Sequence, residues 1–200
     1  MNITEEEISR ANSLAQIEKL VSKCERCLLC KTKTTDVVGV GSETAEILFI
    51  GEAPGKKEDL LGEPFVGAAG KLLNEMLASI NLVRSDIYIA NVLKHRPPAN
   101  RDPLPSEAEA CWPFLARQIE LINPRLIVFL GRHAMNRFFP ELKISEAHGQ
   151  EFQAEKWGRN QAFLALYHPA AALYNGKLKS TLADDFMRIP KIIKKLKSKN

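Results

Sequence analysis

The chain has 200 residues, 45% of them hydrophobic and 26% charged, and a formal net charge of +4 at pH 7. This length and composition fit a single domain over residues 1–200 with a core of its own. No apolar run reaches the roughly 18 to 20 residues that span a bilayer, and the first ten residues are acidic, unlike a signal peptide, so we expect a cytoplasmic protein with no membrane partner.

The positive charge is concentrated at one end of the chain. Residues 186–200 contain six basic residues and no acidic one, which leaves the other 185 residues at −2. Attraction to a polyanion is therefore local. The same segment predicts a basic C-terminal helix or tail whose Ile192, Ile193 and Leu196 face the core.

The N-terminal segment, residues 1–30, predicts helices followed by a cysteine loop. Thr4 with Glu7, and Ser13 with Gln16, have the spacing of capping boxes, which indicates one or two short helices before Cys24. From residue 47 onward, apolar strand patterns alternate with helical ones. The strands fall at 47–50, 86–93, 125–130 and 162–169, and the helices at 67–80, 106–122 and 131–139.

This alternation is typical of an α/β protein with a mainly parallel sheet between two layers of helices. In such sheets ligands bind at the carboxyl ends of the strands. Four loops follow strands here, with the sequences GEAPG, NVLKHRPP, GRH and YHPAAA. These loops make up the predicted site.

Three cysteines occur close together in CERCLLC, as Cys24, Cys27 and Cys30, and Cys111 lies far along the chain. In a reducing compartment a metal site is favoured over a disulfide for such a pattern. Zinc and an iron-sulfur cluster both accept thiolate ligands, and histidine replaces cysteine in either. The residues alone leave the two metals open.

Four segments together resemble the family-four, iron-sulfur uracil-DNA glycosylases. They are GEAPGKKEDLLGEPFVGAAGKLL, IANVLKHRPPANRDP, CWPF and YHPAAAL, and the similarity runs from Cys24 to about Asp185. The resemblance implies a three-layer sandwich with a four-stranded, mainly parallel sheet, a 4Fe-4S cluster, and excision of uracil from DNA in base excision repair. Uracil-containing DNA is then the partner, and the protein is expected to be a monomer.

The family's cluster ligands correspond to Cys24, Cys27, position 95 and Cys111. Position 95 is histidine in this chain, where the family pattern has cysteine. We predict that His95 supplies the fourth ligand, since an imidazole nitrogen binds iron-sulfur clusters elsewhere. Cys30 is the alternative donor.

The resemblance also gives roles to residues that would bind the base. Phe65 is similar to the family's stacking residue, and Asn91 to the residue that donates to uracil O4 and accepts from N3-H. Cytosine has these donor and acceptor positions exchanged, so Asn91 predicts specificity for uracil. The backbone N-H groups of Gly51, Glu52 and Ala53 are expected to contact the base as well.

Catalysis is expected to rest on three residues of the same set. His168 matches the catalytic histidine, which would donate to uracil O2 as negative charge develops there. Glu52 would position or polarise the attacking water, and Asn91 would hold the base. Glu58 is the predicted wall that excludes the C5 methyl group of thymine.

Binding of DNA is predicted for the segment after His168. Ala170, Ala171 and Leu173 resemble a loop that enters the minor groove, with Leu173 filling the vacated stack. Arg96 is expected to contact a flanking phosphate. The other candidates for phosphate contacts are Arg101, Lys177 and Lys179.

Two other functions fit the same motifs. One is a glycosylase for other deaminated bases, against which Asn91 argues. The other is a uracil-DNA binder that does not turn over or that traps DNA covalently, which the position of His95 raises. Relatives that trap DNA carry an arginine-rich insertion and a GEQPG loop, and this chain has neither.

Overall fold

The structure is a computed structural model that describes residues 3–198. Its strands are β1 (Val40–Gly41), β2 (Ile47–Gly51), β3 (Tyr88–Asn91), β4 (Leu126–Leu130), β5 (Glu151–Lys156) and β6 (Arg159–Leu166). They form one sheet in the order β1-β3-β2-β4-β6-β5. The four central strands are parallel, and β1 and β5 pair antiparallel at the two edges.

The expected number of four strands is therefore wrong, because the sheet has six and is mixed. The two strands missed from the sequence are the edge strands. β1 has only two residues, too few for a periodic pattern. β5 continues into β6 through a tight turn in which Trp157 and Gly158 both have positive φ, and its side chains are only partly buried.

The helices lie on both faces of the sheet, as the alternation predicts. They are α1 (Glu5–Ser9), α2 (Leu14–Ser22), α3 (Lys56–Leu61), α4 (Ala68–Ser79), α5 (Pro105–Ile122), α6 (Arg132–Phe138), α7 (Ile144–Ala147), α8 (Pro169–Ala172), α9 (Gly176–Phe186) and α10 (Ile189–Lys197). None of the helices within residues 3–198 is long and apolar enough to cross a membrane.

Alternate residues of each central strand supply two separate cores, because successive side chains point to opposite faces. Phe49, Val128 and Leu164 pack with α4, α9 and α10 on one face. Phe129 and Phe163 pack with α5 and α6 on the other. β2, β3 and β4 are buried throughout, as is the carboxyl half of β6, which fixes their carboxyl ends as a rigid edge for the loops that follow.

The N-terminal helices form as the capping patterns predict. Thr4 and Glu7 make a reciprocal capping box, and the Ser13 side chain accepts from the backbone N-H of Gln16. Both helices contact α5, and together with the cysteine loop they form a third apolar cluster.

The basic C-terminal segment forms α10 with the predicted apolar face. Ile192 is buried, and Ile193 and Leu196 pack against the same core. Residues 199 and 200 of the predicted segment lie outside the described residues.

Candidate active site

The loops that follow β2, β3 and β6 surround a cavity of about 360 Å³ at the carboxyl edge of the sheet. Predicted site residues that line it are Glu52, Ala53, Glu58, Phe65, Asn91, His168 and Ala170. Phe65, Asn91 and His168, which come from three separate motifs, therefore line one cavity. Parallel β2, β3 and β6 all end at this edge, which explains how residues from distant segments meet there.

Asn91, the last residue of β3, provides a free acceptor in this cavity. Its side chain is 2% exposed, and within residues 3–198 its Oδ1 has no hydrogen-bond partner. A buried amide oxygen without a partner costs about 1–3 kcal/mol, which a ligand with a matching donor would recover. The cavity therefore favours a ligand with an N-H at this point.

Gly51, at the end of β2, leaves room for the side chains on either side. A Cβ atom at this position would overlap Asn91 Oδ1 and would lie 2.7 Å from two ring atoms of Phe65. The backbone of Gly51, the Phe65 ring and the Asn91 amide therefore converge on one narrow space. A flat, partly polar ring is the shape that such a space accepts.

Phe65 is held in an unusual conformation by contacts on both sides of its loop. Its φ is 55°, which is rare for a residue with a side chain and indicates a constrained site. Glu58 Oε1 accepts from the backbone N-H groups of Val66 and Gly67 at 2.9 and 2.8 Å. Arg84 donates to the backbone oxygen of Phe65 at 3.1 Å. Glu58 thus lies at the cavity wall and also fixes the loop that carries the ring.

His168 faces Phe65 across the cavity, with the two ring centroids 5.6 Å apart. It is the N-cap residue of α8, and its Nδ1 accepts from the backbone N-H of Ala170 at 3.1 Å. Burial, and then the nearby His133, lower the pKa of His168 to about 4. The ring is therefore neutral at pH 7, and its proton is on Nε2, which is left to donate.

The end of β3 is anchored by a buried lysine that the motif analysis did not single out for a role. Lys94 Nζ donates to the backbone oxygen of Asn91 at 2.9 Å and to Gln118 Oε1 at 2.6 Å. Burial lowers the pKa of Lys94 to about 8. Lys94 ties the segment that carries Asn91 to α5 and so positions it.

Cys24, Cys27 and Cys111 lie in the third apolar cluster, formed by the N-terminal helices, the cysteine loop and α5. Burial raises the pKa of all three thiols, that of Cys111 to about 12. Thiols in this setting keep their protons unless a metal displaces them. The donor set therefore fits a metal group that binds thiolates.

His95 lies beside this cysteine set, since the backbone N-H of the preceding Lys94 donates to Cys111 Sγ at 3.3 Å. Its side chain is buried, and its Nε2 is 2.8 Å from Asp36 Oδ1. Metal-binding histidines commonly direct the second ring nitrogen to a carboxylate in this way. Lys33 Nζ lies 3.4 Å from the same nitrogen, and in the tautomer that donates from Nε2 to Asp36 the other nitrogen, Nδ1, has a free electron pair. His95 does not line the cavity that holds Asn91.

Cys30 is on the same loop as Cys24 and Cys27, in a single 3-10 turn at Leu28–Lys31. The three cysteines line an open hollow of about 610 Å³ on the outer side of the loop. Cys30 is half-buried and lies outside the third apolar cluster. Cys30 therefore lies next to Cys24 and Cys27, and His95 directly follows the residue that contacts Cys111, so both are candidates for the fourth ligand.

A model of the uracil DNA glycosylase superfamily matches residues 38–189. A type-4 uracil-DNA glycosylase of Archaeoglobus fulgidus is 54% identical over 182 residues, which cover 88% of this chain and 92% of that protein. Those of Sulfurisphaera tokodaii and Thermotoga maritima are 44% and 39% identical, over 89% and 94% of this chain and 84% and 98% of theirs. The chain belongs to the type-4 uracil-DNA glycosylases. The resemblance drawn from its motifs is confirmed.

In this type-4 family member, the loop after His168 does not fully expose Leu173, the side chain that was expected to enter the DNA. Ala170 and Ala171 are exposed, but Leu173 is only partly exposed, because it packs against the core beside α4. The next residue, Tyr174, is 96% exposed. Tyr174, and not Leu173, is therefore the large side chain that this loop presents to solvent.

The basic residues predicted to contact phosphate differ in whether their side chains are already bonded to other residues. Arg96 lies near the cavity and donates to Asn100 Oδ1 at 2.7 Å. Arg101 makes two hydrogen bonds to the buried Glu107, at 2.9 and 2.6 Å, which already commit its guanidinium. Lys179 pairs with Glu75 at 3.0 Å, and Lys177 is exposed.

Besides Lys94, four residues near the family motifs were missed from the sequence: Asp36, Asp102, His133 and Tyr174. Only His133 could have been found from the sequence, since it lies in the GRH loop, one of the four loops predicted to form the site. The other three are placed by loop conformation, which no periodic pattern reveals. Lone acidic and aromatic residues in loops usually have no special role.

Proposed function

We propose that this protein is a DNA glycosylase that flips uracil out of DNA and hydrolyses its N-glycosidic bond. The observation that carries this function is the buried, unpartnered Oδ1 of Asn91, which faces the same narrow space as Phe65 and His168. A base in a duplex is stacked and paired, so an enzyme that acts on it has to extrude it into such a pocket.

The pocket reads the base in three ways. The Phe65 ring stacks on it, which favours any flat aromatic ring. The Asn91 amide accepts from N3-H and donates to O4, a pattern that uracil matches and cytosine does not. The backbone at Gly51 and Ala53 approaches the edge of the ring, because position 51 has no side chain. We assign base binding to these residues together with Glu52, Glu58 and His168.

His168 assists departure of the base. As the bond between N1 and the sugar carbon C1′ breaks, its electron pair moves onto the uracil ring and the sugar becomes oxocarbenium-like. The neutral imidazole donates from Nε2 to uracil O2, where the negative charge grows. Glu52 lies at the end of β2 on the wall of the cavity and takes the proton of the attacking water.

Cys24, Cys27, Cys111 and His95 would hold the 4Fe-4S cluster implied by the family. Within residues 3–198, no three of these donors lie within 4.8 Å of one another. A single tetrahedral zinc, with bonds of about 2.3 Å to sulfur, needs sulfurs only about 3.8 Å apart, so the wider spacing supports a larger group. Such a cluster would tie the N-terminal helices to α5 and to the segment after Asn91, which is a structural role.

Contact with DNA is assigned to the loop after His168 and to the basic residues around the cavity. Ala170 and Ala171 are exposed beside the pocket, and Arg96 donates to Asn100, which lines it. Tyr174 replaces Leu173 in our proposal as the side chain that occupies the vacated stack, since Leu173 packs inward.

The test is incubation of the purified protein with an oligonucleotide that contains one uracil, followed by alkali, which cleaves at abasic sites. We expect cleavage at the uracil position, release of many uracil molecules per protein, and visible absorbance from the same sample. An intact oligonucleotide would contradict the function, and a heat-stable adduct with DNA would indicate a covalent trap. His95 lies outside the cavity lining, which argues against such an adduct.

A further inference from the structure

The Gly131-Arg132-His133 loop at the end of β4 has no part in reading the base, yet His133 contacts residues that line the cavity. His133 Nε2 lies 3.7 Å from Glu52 Oε2 and 3.4 Å from Asp102 Oδ2. Glu52 and Asp102 both line the cavity. One imidazole nitrogen therefore faces two carboxylates of the cavity lining.

Glu52 needs a neighbouring positive charge to act as a base. Burial raises the pKa of its carboxyl group, and His133 is the largest influence that lowers it again. Arg132 also lowers this pKa, whereas Asp102 raises it. A protonated carboxyl group cannot accept a proton from water, so the balance between burial and these neighbours decides whether Glu52 is active.

The imidazole has two competing partners at the same nitrogen. Arg132 Nε donates to His133 Nε2 at 3.1 Å, and the same nitrogen faces the carboxylates of Asp102 and Glu52. The Arg132 side chain is exposed, so it has room to move aside and leave Nε2 to the carboxylates. Asp102 Oδ2 lies 3.4 Å from both Arg132 Nη2 and His133 Nε2, which joins the three side chains in one charged cluster next to Glu52.

We propose that His133 is a positioning residue for hydrolysis, which, anchored by Asp102, keeps the Glu52 carboxylate ionised and directed at the attacking water. This inference rests on the proposed glycosylase function. The water oxygen bonds to C1′ as the bond from C1′ to N1 breaks, and the electron pair of that bond leaves with uracil. The water proton passes to Glu52, which returns it to solvent or to the departing uracil anion.

The same three residue types also bind divalent cations, and their nearest atoms lie within 4.8 Å of one another. The structure favours the proton network, because the Arg132 guanidinium occupies the side of Asp102 and His133 that a cation would share. The two possibilities predict different responses to a chelator.

The experiment measures single-turnover uracil release and KM between pH 5 and 9 for the wild type, His133→Ala, His133→Lys and Glu52→Gln. We expect His133→Ala to move the acid limb of the rate profile about one pH unit upward, which is about a tenfold loss of rate on that limb, with KM nearly unchanged. His133→Lys, which restores a cation, should bring the limb back towards the wild-type position.

The charged groups around Glu52 are His133, Asp102 and Arg132, and Glu58, Arg101 and His168 also line the cavity. To show that the limb reports Glu52, His133→Ala is repeated in the Glu52→Gln background, where we expect no further change in the profile. His148→Ala is the matched control, since it removes another histidine paired with a carboxylate, Asp185, away from the cavity. It should leave the limb in place.

Several outcomes would overturn the inference. A His133→Ala profile that coincides with the wild type, or a change confined to KM, would remove His133 from this role. A limb that moves when EDTA is added, while visible absorbance stays constant, would assign the three residues to a cation instead. If the wild type itself releases no uracil, the proposed function fails, and this result is distinct from both.

Discussion

The side chain of Asn91 occupies the space that a Cβ atom on Gly51 would need. Because the φ of Gly51 is not in the left-handed region, Gly51→Ala changes this contact without straining the backbone. We expect the added methyl group to displace the Asn91 amide and the Phe65 ring, and to lower kcat/KM for uracil-DNA by at least about 10²-fold. Single-lesion oligonucleotides measure the loss.

The matched control for this change is Gly176→Ala at the first position of α9. Nothing lies within 4 Å of a Cβ atom there, so the substitution should leave activity and stability nearly unchanged. Equal activity of Gly51→Ala and the wild type would show that the base does not enter the space between Asn91 and Phe65.

His168 should affect both the rate and the pH dependence of stability. Its pKa of about 4 in the folded protein lies below the usual value of 6.5, so between these values the unfolded chain binds more protons. Stability is therefore lost as pH falls from 6.5 towards 4. His168→Asn should remove this loss, of the order of 2 kcal/mol at pH 5, in urea unfolding at pH 5 and 7.5.

The same variant should lower kcat by roughly 10²- to 10³-fold, the usual effect of losing a donor to developing negative charge. KM should change little, since the donor acts mainly in the transition state. A variant that keeps the wild-type kcat would place the donor elsewhere.

The central part of the fold was predictable because its signals are local. The predicted strands at 47–50, 125–130 and 162–169 each contain an uninterrupted apolar run, and the structure has parallel, largely buried strands at Ile47–Gly51, Leu126–Leu130 and Arg159–Leu166. The edge strand β5 has polar residues on its exposed positions and ends in an unusual turn, so no apolar run marks it.

The residues of the candidate site also fall into those that the sequence predicts and those that it does not. Asn91, Phe65 and His168 were predicted from motifs, and parallel strands bring them to one edge of the sheet. Asp102 and Tyr174 depend on loop conformation, and Asp36 meets His95 through a contact across 59 residues. Hydrophobic periodicity carries no information about such contacts.

Glu58 combines two roles that substitution can separate. Glu58→Gln keeps an oxygen that accepts from Val66 and Gly67, so the Phe65 loop should stay in place and activity should fall by less than about tenfold. Glu58→Ala removes the acceptor and the wall together. We expect it to lower uracil release by more than tenfold and to admit thymine from a G·T oligonucleotide. If the alanine variant still does not excise thymine, Glu58 is not the residue that excludes it.

Tyr174 should contribute to DNA binding without affecting stability. Its ring is almost wholly exposed, so Tyr174→Ala removes no packing. We expect weaker binding to abasic DNA by about 1–3 kcal/mol, the usual value of one stacked aromatic ring, with an unchanged unfolding midpoint. Leu173→Ala should show the opposite pattern, since Leu173 packs against the core. Equal affinity of Tyr174→Ala and the wild type for DNA would contradict the stacking role.

Histidine at position 95 should control metal content. The pair of His95 and Asp36 fixes the imidazole with its Nε2 towards the carboxylate, so Nδ1 is the nitrogen left for iron. Purified without oxygen, His95→Ala should lose iron and visible absorbance, and Asp36→Asn should lose them partly. His95→Cys should restore both, because a thiolate binds such clusters. Cys30→Ser is the control that should keep the wild-type spectrum. If His95→Ala keeps its iron and Cys30→Ser loses it, then Cys30 and not His95 is the fourth ligand. The cluster would then extend towards the open side of the cysteine loop.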